Sequence, residues 1–187
     1  MFKELLAAEF APFGLLSDLQ LNQLEGHYDV LTRWNARMNL TRISDLKDSV
    51  QLHYCESLWL AKYLPLGSHR IVDVGSGGGF PGIPVAIFRP ECEVTLVESH
   101  QRKAVFLREA ARDLTNVRVL PKRAEDVAER FDWLISRAVA PNEVLKLELA
   151  KNVALLIGQE DATDLAGASL QLPWGTGRVL FHVERPS

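Results

Sequence analysis

The chain has 187 residues, of which 47% are apolar and 24% charged, and a net charge of −3. That is the composition of one globular domain able to bury roughly 70% of its unfolded surface without staples. Two cysteines, Cys55 and Cys92, without C-x-x-C spacing argue against a disulfide scaffold or a zinc ribbon.

The first 68 residues read as helical. Ser17 and Asp18 are candidate caps, and Leu19, Leu24, Tyr28, Leu31 and Trp34 follow at roughly helical spacing. Asp48 or Ser49 is expected to cap a further helix carrying Val50, Leu52, Tyr54, Leu58 and Leu60, which ends near Pro65-Leu66-Gly67. From Arg70 the pattern alternates. Strands are predicted at Arg70–Val74, Glu93–Glu98, Val117–Leu120, Phe131–Ser136 and Asn152–Ile157, with helices at Gly82–Phe88, His100–Leu114, Ala124–Glu129 and Asn142–Lys151. This is the plan of a parallel sheet built from βαβ units. A last strand, Arg178–Glu184, follows the turn signals Pro173, Gly175 and Gly177 and is expected to close the sheet antiparallel; residues 158–177 carry little pattern. The expected organisation is a single α/β, Rossmann-like domain over 1–187. Its mostly parallel sheet has helices on both faces (69–187), and a helical extension precedes it (1–68).

The five histidines show no H-x-x-x-H pair, so no metal is expected. Glu4, Glu9 and Pro12 make the N-terminus a poor signal peptide, and its apolar run is too short to span a membrane, so a cytoplasmic protein without a membrane association is expected.

Chemistry concentrates between Arg70 and Gly82. Five glycines (Gly75, Gly77, Gly78, Gly79, Gly82) follow a β-branched strand, and Glu98 ends the next strand sixteen residues after Gly82. Such a loop lets a ligand approach the backbone and the start of a helix. Gly77, Gly79 and Gly82 satisfy the dinucleotide pattern G-x-G-x-x-G, whereas Asp73, Gly75, Gly77 and Gly79 satisfy the D-x-G-x-G-x-G loop that binds S-adenosylmethionine. Asp73 favours the second, because a carboxylate there suits a cationic amino group and gains nothing from a pyrophosphate. Pro81 and Pro84 also remove N–H donors that a pyrophosphate would use. Glu98 is placed to accept from ribose hydroxyls, or alternatively to serve the start of the following helix. Phe80 would wall the pocket.

Two stretches are locally basic. Arg33, Arg37, Arg42 and Lys47 face only Asp45 over residues 33–47, and seven cations face Glu109 and Asp113 over 102–123. They fit either an RNA partner or solvated, ion-paired helix faces.

Several segments resemble the bacterial small-subunit ribosomal RNA methyltransferase G family, also called GidB. They are W-N-A-R-M-N-L-T (34–41), H-Y-C-E-S (53–57), V-D-V-G-S-G-G-G-F-P-G-I-P (72–84), R-P-E (89–91), T-L-V-E-S (95–99), R-K-A-V-F-L-R-E (102–109), R-A-E (123–125) and S-R-A (136–138). The resemblance implies a class I methyltransferase that transfers a methyl group from S-adenosylmethionine to N7 of a guanine in 16S rRNA. The partner would be that RNA or the small ribosomal subunit, and the protein a monomer. It implies cofactor contacts by Asp73, Gly75, Gly77, Phe80, Glu98, Ala124, Glu125 and Arg137. Ala124 and Glu125 would lie at the adenine end and Arg137 at the reacting methyl as the catalytic residue. Asn35, Asn39 and His53 would cover the site or read RNA, although His53 taken alone reads as a core histidine. The chain departs from the family pattern in carrying Ile157 where a lysine is usual, Glu56 and Glu98 where aspartates are usual, and a short tail. Ser136-Arg137-Ala138 offers neither carboxylate nor amide, as suits a target with a free lone pair. A small-molecule methyltransferase, a non-catalytic RNA- or nucleoside-binding module and a nicotinamide oxidoreductase remain as alternatives.

Overall fold

The computed structural model describes residues 1–185; residues 186 and 187 of the expected 69–187 core lie outside the described residues. Helix α1 (Phe2–Phe10) and the long α2 (Asp18–Met38) come first. Ser17 caps α2 as expected. Its hydroxyl accepts from Gln20 N while the Gln20 side chain accepts from Ser17 N, a reciprocal capping box. The cap of α3 (Leu46–Ser49) is Asp45 rather than Asp48 or Ser49, and Ser49 lies buried within the turn. The chain runs on through a π-helical segment, Val50–Cys55, into α4 (Glu56–Tyr63). Buried Arg89 then pins the following turn by donating to the carbonyls of Ala61, Leu64, Pro65 and Gly67.

Next come β1 (Arg70–Val74), α5 (Gly82–Phe88), β2 (Glu93–Val97), α6 (Gln101–Ala110), β3 (Val117–Leu120), β4 (Phe131–Arg137), α7 (Pro141–Leu145), β5 (Ala150–Gly158), α8 (Gln159–Ala162), β6 (Ala168–Gln171) and β7 (Arg178–Glu184). The seven strands lie in the order β3-β2-β1-β4-β5-β7-β6. The first five are parallel, and β7 enters antiparallel between β5 and β6, with Gly158 opposite Arg178.

The pleat divides the core in two. Ile71, Trp133, Ile135, Ala154 and Leu156 face a large cluster with Leu6, Leu24, Tyr54, Leu60 and Ile83 from α1, α2, α4, α5 and the π-segment. Val72, Val74, Leu134, Val153, Leu155 and Ile157 face a smaller one, covered by Val127, Val144, Leu149 and Ala162. Here two predicted helices contract. Ala124–Glu129 is a 3-10 turn over Ala124–Asp126, and Asn142–Lys151 is the short α7, with β5 already begun at Ala150. The crossovers explain it: residues 121–130 join β3 to β4 and 138–149 join β4 to β5, at the minimum of about a dozen that a parallel connection needs. From the unpatterned stretch 158–177, Leu172 and Trp174 are buried, and Trp174 packs edge-on against Phe13 at 4.9 Å. Among the described residues no helix is long and apolar enough to cross a membrane.

Candidate cofactor cleft and active site

β1 delivers the chain into the glycine loop at the carboxyl edge of the sheet. Gly75 sits at φ +72°, and a Cβ there would come within 2.5 Å of Val139 Cγ2, so the loop and the end of β4 approach closely only because no side chain intervenes. Gly79, at φ +88°, is closed in from beneath: a Cβ would lie 2.7 Å from Ile83 Cδ1 and 2.9 Å from His27 Nε2.

His27 is a strut for this loop. Its Nε2 donates to Gly78 O at 3.0 Å, and its Nδ1 accepts from the Tyr54 hydroxyl at 2.9 Å. Burial pushes its pKa down to about 4, so it is neutral, as that donor–acceptor pattern requires. Sequence reasoning missed it. The available signal was its place in the buried stripe Leu24, His27, Leu31, since a polar group on such a stripe needs a partner.

Beside the loop lies a cavity of about 430 Å³, lined among others by Asn39, Thr41, Gly75, Gly77, Phe80, Glu98, Lys103 and Arg137. Glu98 accepts from Gly77 N at 3.0 Å through Oε2 and from His100 N at 2.8 Å through Oε1. It thus ties the end of β2 to the loop and to the helix start, and each oxygen keeps a lone pair for a ligand hydroxyl. The alternative expectation, service at the start of the following helix, is the one these bonds display. Asp73 does not line the cavity. It is wholly buried, Oδ2 accepts from Gly82 N at 3.0 Å, and Oδ1 has no partner among the described residues. Burial raises its pKa to about 7. Ala124 and Glu125 are not among the lining residues either; their 3-10 turn packs Ala124 on the smaller cluster and leaves Glu125 exposed.

Arg137, the last residue of β4, stands where this cavity meets a second one of about 450 Å³, whose lining includes Leu52, Val139, Ala140, Leu156, Ile157 and Arg178. Its guanidinium donates to Leu52 O and to His53 Nδ1, each at 2.5 Å, and lies 5.2 Å from the centre of the Phe80 ring. Burial lowers its pKa to about 10, which leaves it charged at neutral pH. His53 stacks on Phe80 with ring centres 4.5 Å apart and, through Nε2, donates to Thr41 Oγ1 at 2.7 Å. Burial, with the nearby Arg137 charge, holds its pKa down at about 2. Asn35 pins Thr41 through both backbone groups, at 2.9 and 3.0 Å. The structure therefore brings Asn35, His53 and Arg137 into one hydrogen-bonded chain, while Asn39, left-handed at φ 48°, caps α2 at the cleft. Ala138, also left-handed at φ 63°, turns the backbone immediately after Arg137.

Across the second cavity, Arg178 of β7 grips Glu56 with two bonds, Nε to Oε1 at 2.6 Å and Nη2 to Oε2 at 2.8 Å. Burial raises the Glu56 pKa and Arg178 opposes that shift.

The model of the GidB family, rRNA small subunit methyltransferase G, matches residues 20–162. The chain belongs to this family. Ribosomal RNA small subunit methyltransferase G of Neisseria gonorrhoeae is 41% identical over 142 residues, covering 74% of this chain and 68% of its own length. The Desulforamulus reducens protein of the same name is 38% identical over 139 residues, covering 70% and 58%. Among solved structures, a SAM-dependent O-methyltransferase from Thermotoga maritima superposes with a TM-score of 0.57 at 16% identity, over 84% of this chain and 72% of its own. A SAM-dependent methyltransferase from Aquifex aeolicus gives 0.54 at 15% identity, over 72% and 92%. These likenesses establish the Rossmann-like class I fold. The GidB match contains the glycine loop, Glu98 and the Asn35–His53–Arg137 chain, whereas Arg178 and Trp174 lie beyond its end.

The residues of the cleft fit S-adenosylmethionine. A glycine loop whose Gly75 and Gly77 line the cavity, a carboxylate with free lone pairs at the end of β2, the Phe80 ring and a guanidinium converge on one cavity. The partnerless Asp73 Oδ1 lies behind that loop.

Proposed function

We propose that this chain methylates N7 of a guanine in 16S ribosomal RNA, acting in the cytoplasm as a monomer. When bound, S-adenosylmethionine supplies a methyl group on a cationic sulfur. Gly75, Gly77, Phe80 and Glu98 would hold it, and Asp73 would act from behind the loop through its charge. The position of Arg137 carries this reading: a charged guanidinium where the cofactor cleft opens onto the second cavity.

Of the five donors of Arg137, two are spent on Leu52 and His53, which leaves three to orient groups on either side. One side suits a cofactor carboxylate and the other the O6 atom of a guanine, so that N7 stays open to attack. With the cofactor bound, the N7 lone pair would take the methyl group from sulfur, which would keep the C–S electron pair while the positive charge passed to the purine. No proton moves, which agrees with a site whose buried histidines, His27 and His53, are neutral and fully engaged. Rate enhancement in such a displacement comes from positioning.

The test is transfer of labelled methyl from S-adenosylmethionine to unmodified 16S rRNA, naked and in small subunits, with the modified base identified. Label at a guanine N7 is expected. Binding of S-adenosylhomocysteine without transfer to either form of RNA would sink the assignment and favour a small-molecule acceptor.

A further inference from the structure

The two basic stretches of the sequence meet in the fold. Between α2 and α6 runs a groove of about 450 Å³ lined by Arg33, Trp34, Arg37, Met38, Arg102 and Glu109. It adjoins the cofactor cleft: Asn39 and Lys103, the next residues after Met38 and Arg102, line that cleft. Glu109, the acid among these residues, is engaged on both oxygens, accepting from Arg33 Nη2 at 3.2 Å and from Trp34 Nε1 at 3.0 Å. Arg37 and Arg102 are exposed and, among the described residues, form no ion pair and no side-chain hydrogen bond. Arg42, also exposed, and the half-buried Lys103 beside them are likewise without such partners.

The opposite rim of the sheet is built otherwise. There Arg70 and Arg118 share Glu129, at 3.0 and 2.5 Å, and Lys151 meets Glu184 at 3.0 Å. Arg70, Arg118 and Lys151 on that rim each meet an acid, whereas Arg37, Arg42, Arg102 and Lys103 beside the cleft meet none among the described residues. A cluster of bare like charges repels itself and creates a field that an anion relieves. The half-buried Trp34 and Met38 add an apolar floor between the cations, and alternating cations and aromatic surface is the pattern that holds single-stranded nucleic acid.

We infer that this groove docks the RNA strand flanking the target nucleotide, with phosphates on Arg37 and Arg102 and a base against Trp34. The inference rests on the rRNA reading above and assigns it a surface.

The probe is unmodified 16S rRNA bound to the full chain at several salt concentrations. The double variant Arg37→Glu/Arg102→Glu should lose at least about tenfold in affinity, and its salt slope should fall by about two, one for each phosphate contact. Its affinity for S-adenosylhomocysteine should stay at the wild-type value. Arg130→Glu makes the same kind of reversal at an exposed, unpaired cation on the opposite rim and should bind rRNA as wild type does. Equal losses in both proteins, or none in the double variant, overturn the docking surface, while wild-type methyl transfer to rRNA keeps the functional reading standing. A wild-type chain that binds S-adenosylhomocysteine but no rRNA overturns both. Displacement of the RNA by polyglutamate at matched charge would hand the groove to an acidic protein and overturn the RNA assignment.

Discussion

The two faces of the sheet do different work. One is covered by α1, α2, α4, α5, α6 and the π-helical segment, and most of what grips the site beyond the strand ends themselves comes from it: His27 and Tyr54 under the glycine loop, His53 and Leu52 on Arg137, Asn35 on Thr41. The other is covered by a 3-10 turn and two short helices, with crossovers near the shortest that parallel strands permit. The N-terminal helices therefore serve as the mould in which the catalytic edge is cast, and the thin face serves mainly to exclude water from the sheet.

That contrast can be broken by matched truncations. His27→Ala leaves the Gly78 carbonyl unpaired and opens a cavity under the loop. It should cost about 2–4 kcal/mol in urea unfolding and weaken S-adenosylhomocysteine binding as well. Val144→Ala on the thin face should cost about 1–2 kcal/mol with cofactor affinity unchanged. If both variants changed cofactor affinity alike, the division of labour would be wrong. Arg137→Ala comes next, with a loss of turnover of roughly 100-fold or more, worth about 2.7 kcal/mol, while the fold persists by circular dichroism. Unchanged kcat would remove the residue from the mechanism. Glu98→Ala should raise the dissociation constant for S-adenosylhomocysteine about tenfold, or about 1.4 kcal/mol, and calorimetry returning equal affinity would end the ribose assignment.

Asp73 sharpens the comparison through pH. Its folded pKa of about 7 lies above the ordinary 3.8, so between those values the folded chain holds a proton that the unfolded chain has released. Stability therefore falls as pH rises from about 4 through 7. Asp73→Asn should be more stable than wild type by about 1 kcal/mol or more at pH 8, with the difference vanishing near pH 4. It should also bind S-adenosylmethionine more weakly, and a flat difference across pH would contradict the burial argument. The smallest effect is expected at Ala138→Gly, which relieves a left-handed alanine and should shift stability by less than about 1 kcal/mol in either direction.

Much of this was legible in the residues, and what was not has identifiable causes. Buried strands such as Ile71–Val74 announce themselves by β-branched runs stopped by glycine, and Ser17 announces itself as a helix cap. The helices expected at 124–129 and 142–151 failed because local preference knows nothing of crossover length. The π-helical segment 50–55 repeats no pattern that a reader of periodicity could find. At the site, Glu98 and Arg137 were readable from their places at strand ends. The hydrogen-bonded chain through Thr41 was not, because it joins a helix, a loop, a π-turn and a strand. Glu56 and Arg178 stand 122 residues apart and share no local signature.

That last pair has a consequence for how the molecule is made. A growing chain acquires the glycine loop, Glu98 and Arg137 well before residue 178 exists. Until then β5 presents an open edge, and the carboxylate of Glu56 lacks both its counter-charge and the strand that covers it. Arrival of β7 pairs the edge, neutralises Glu56 and finishes the wall of the second cavity in one step. Completion of the second cavity thus waits on a strand that follows Glu56 by 122 residues, long after the cofactor cleft has its parts.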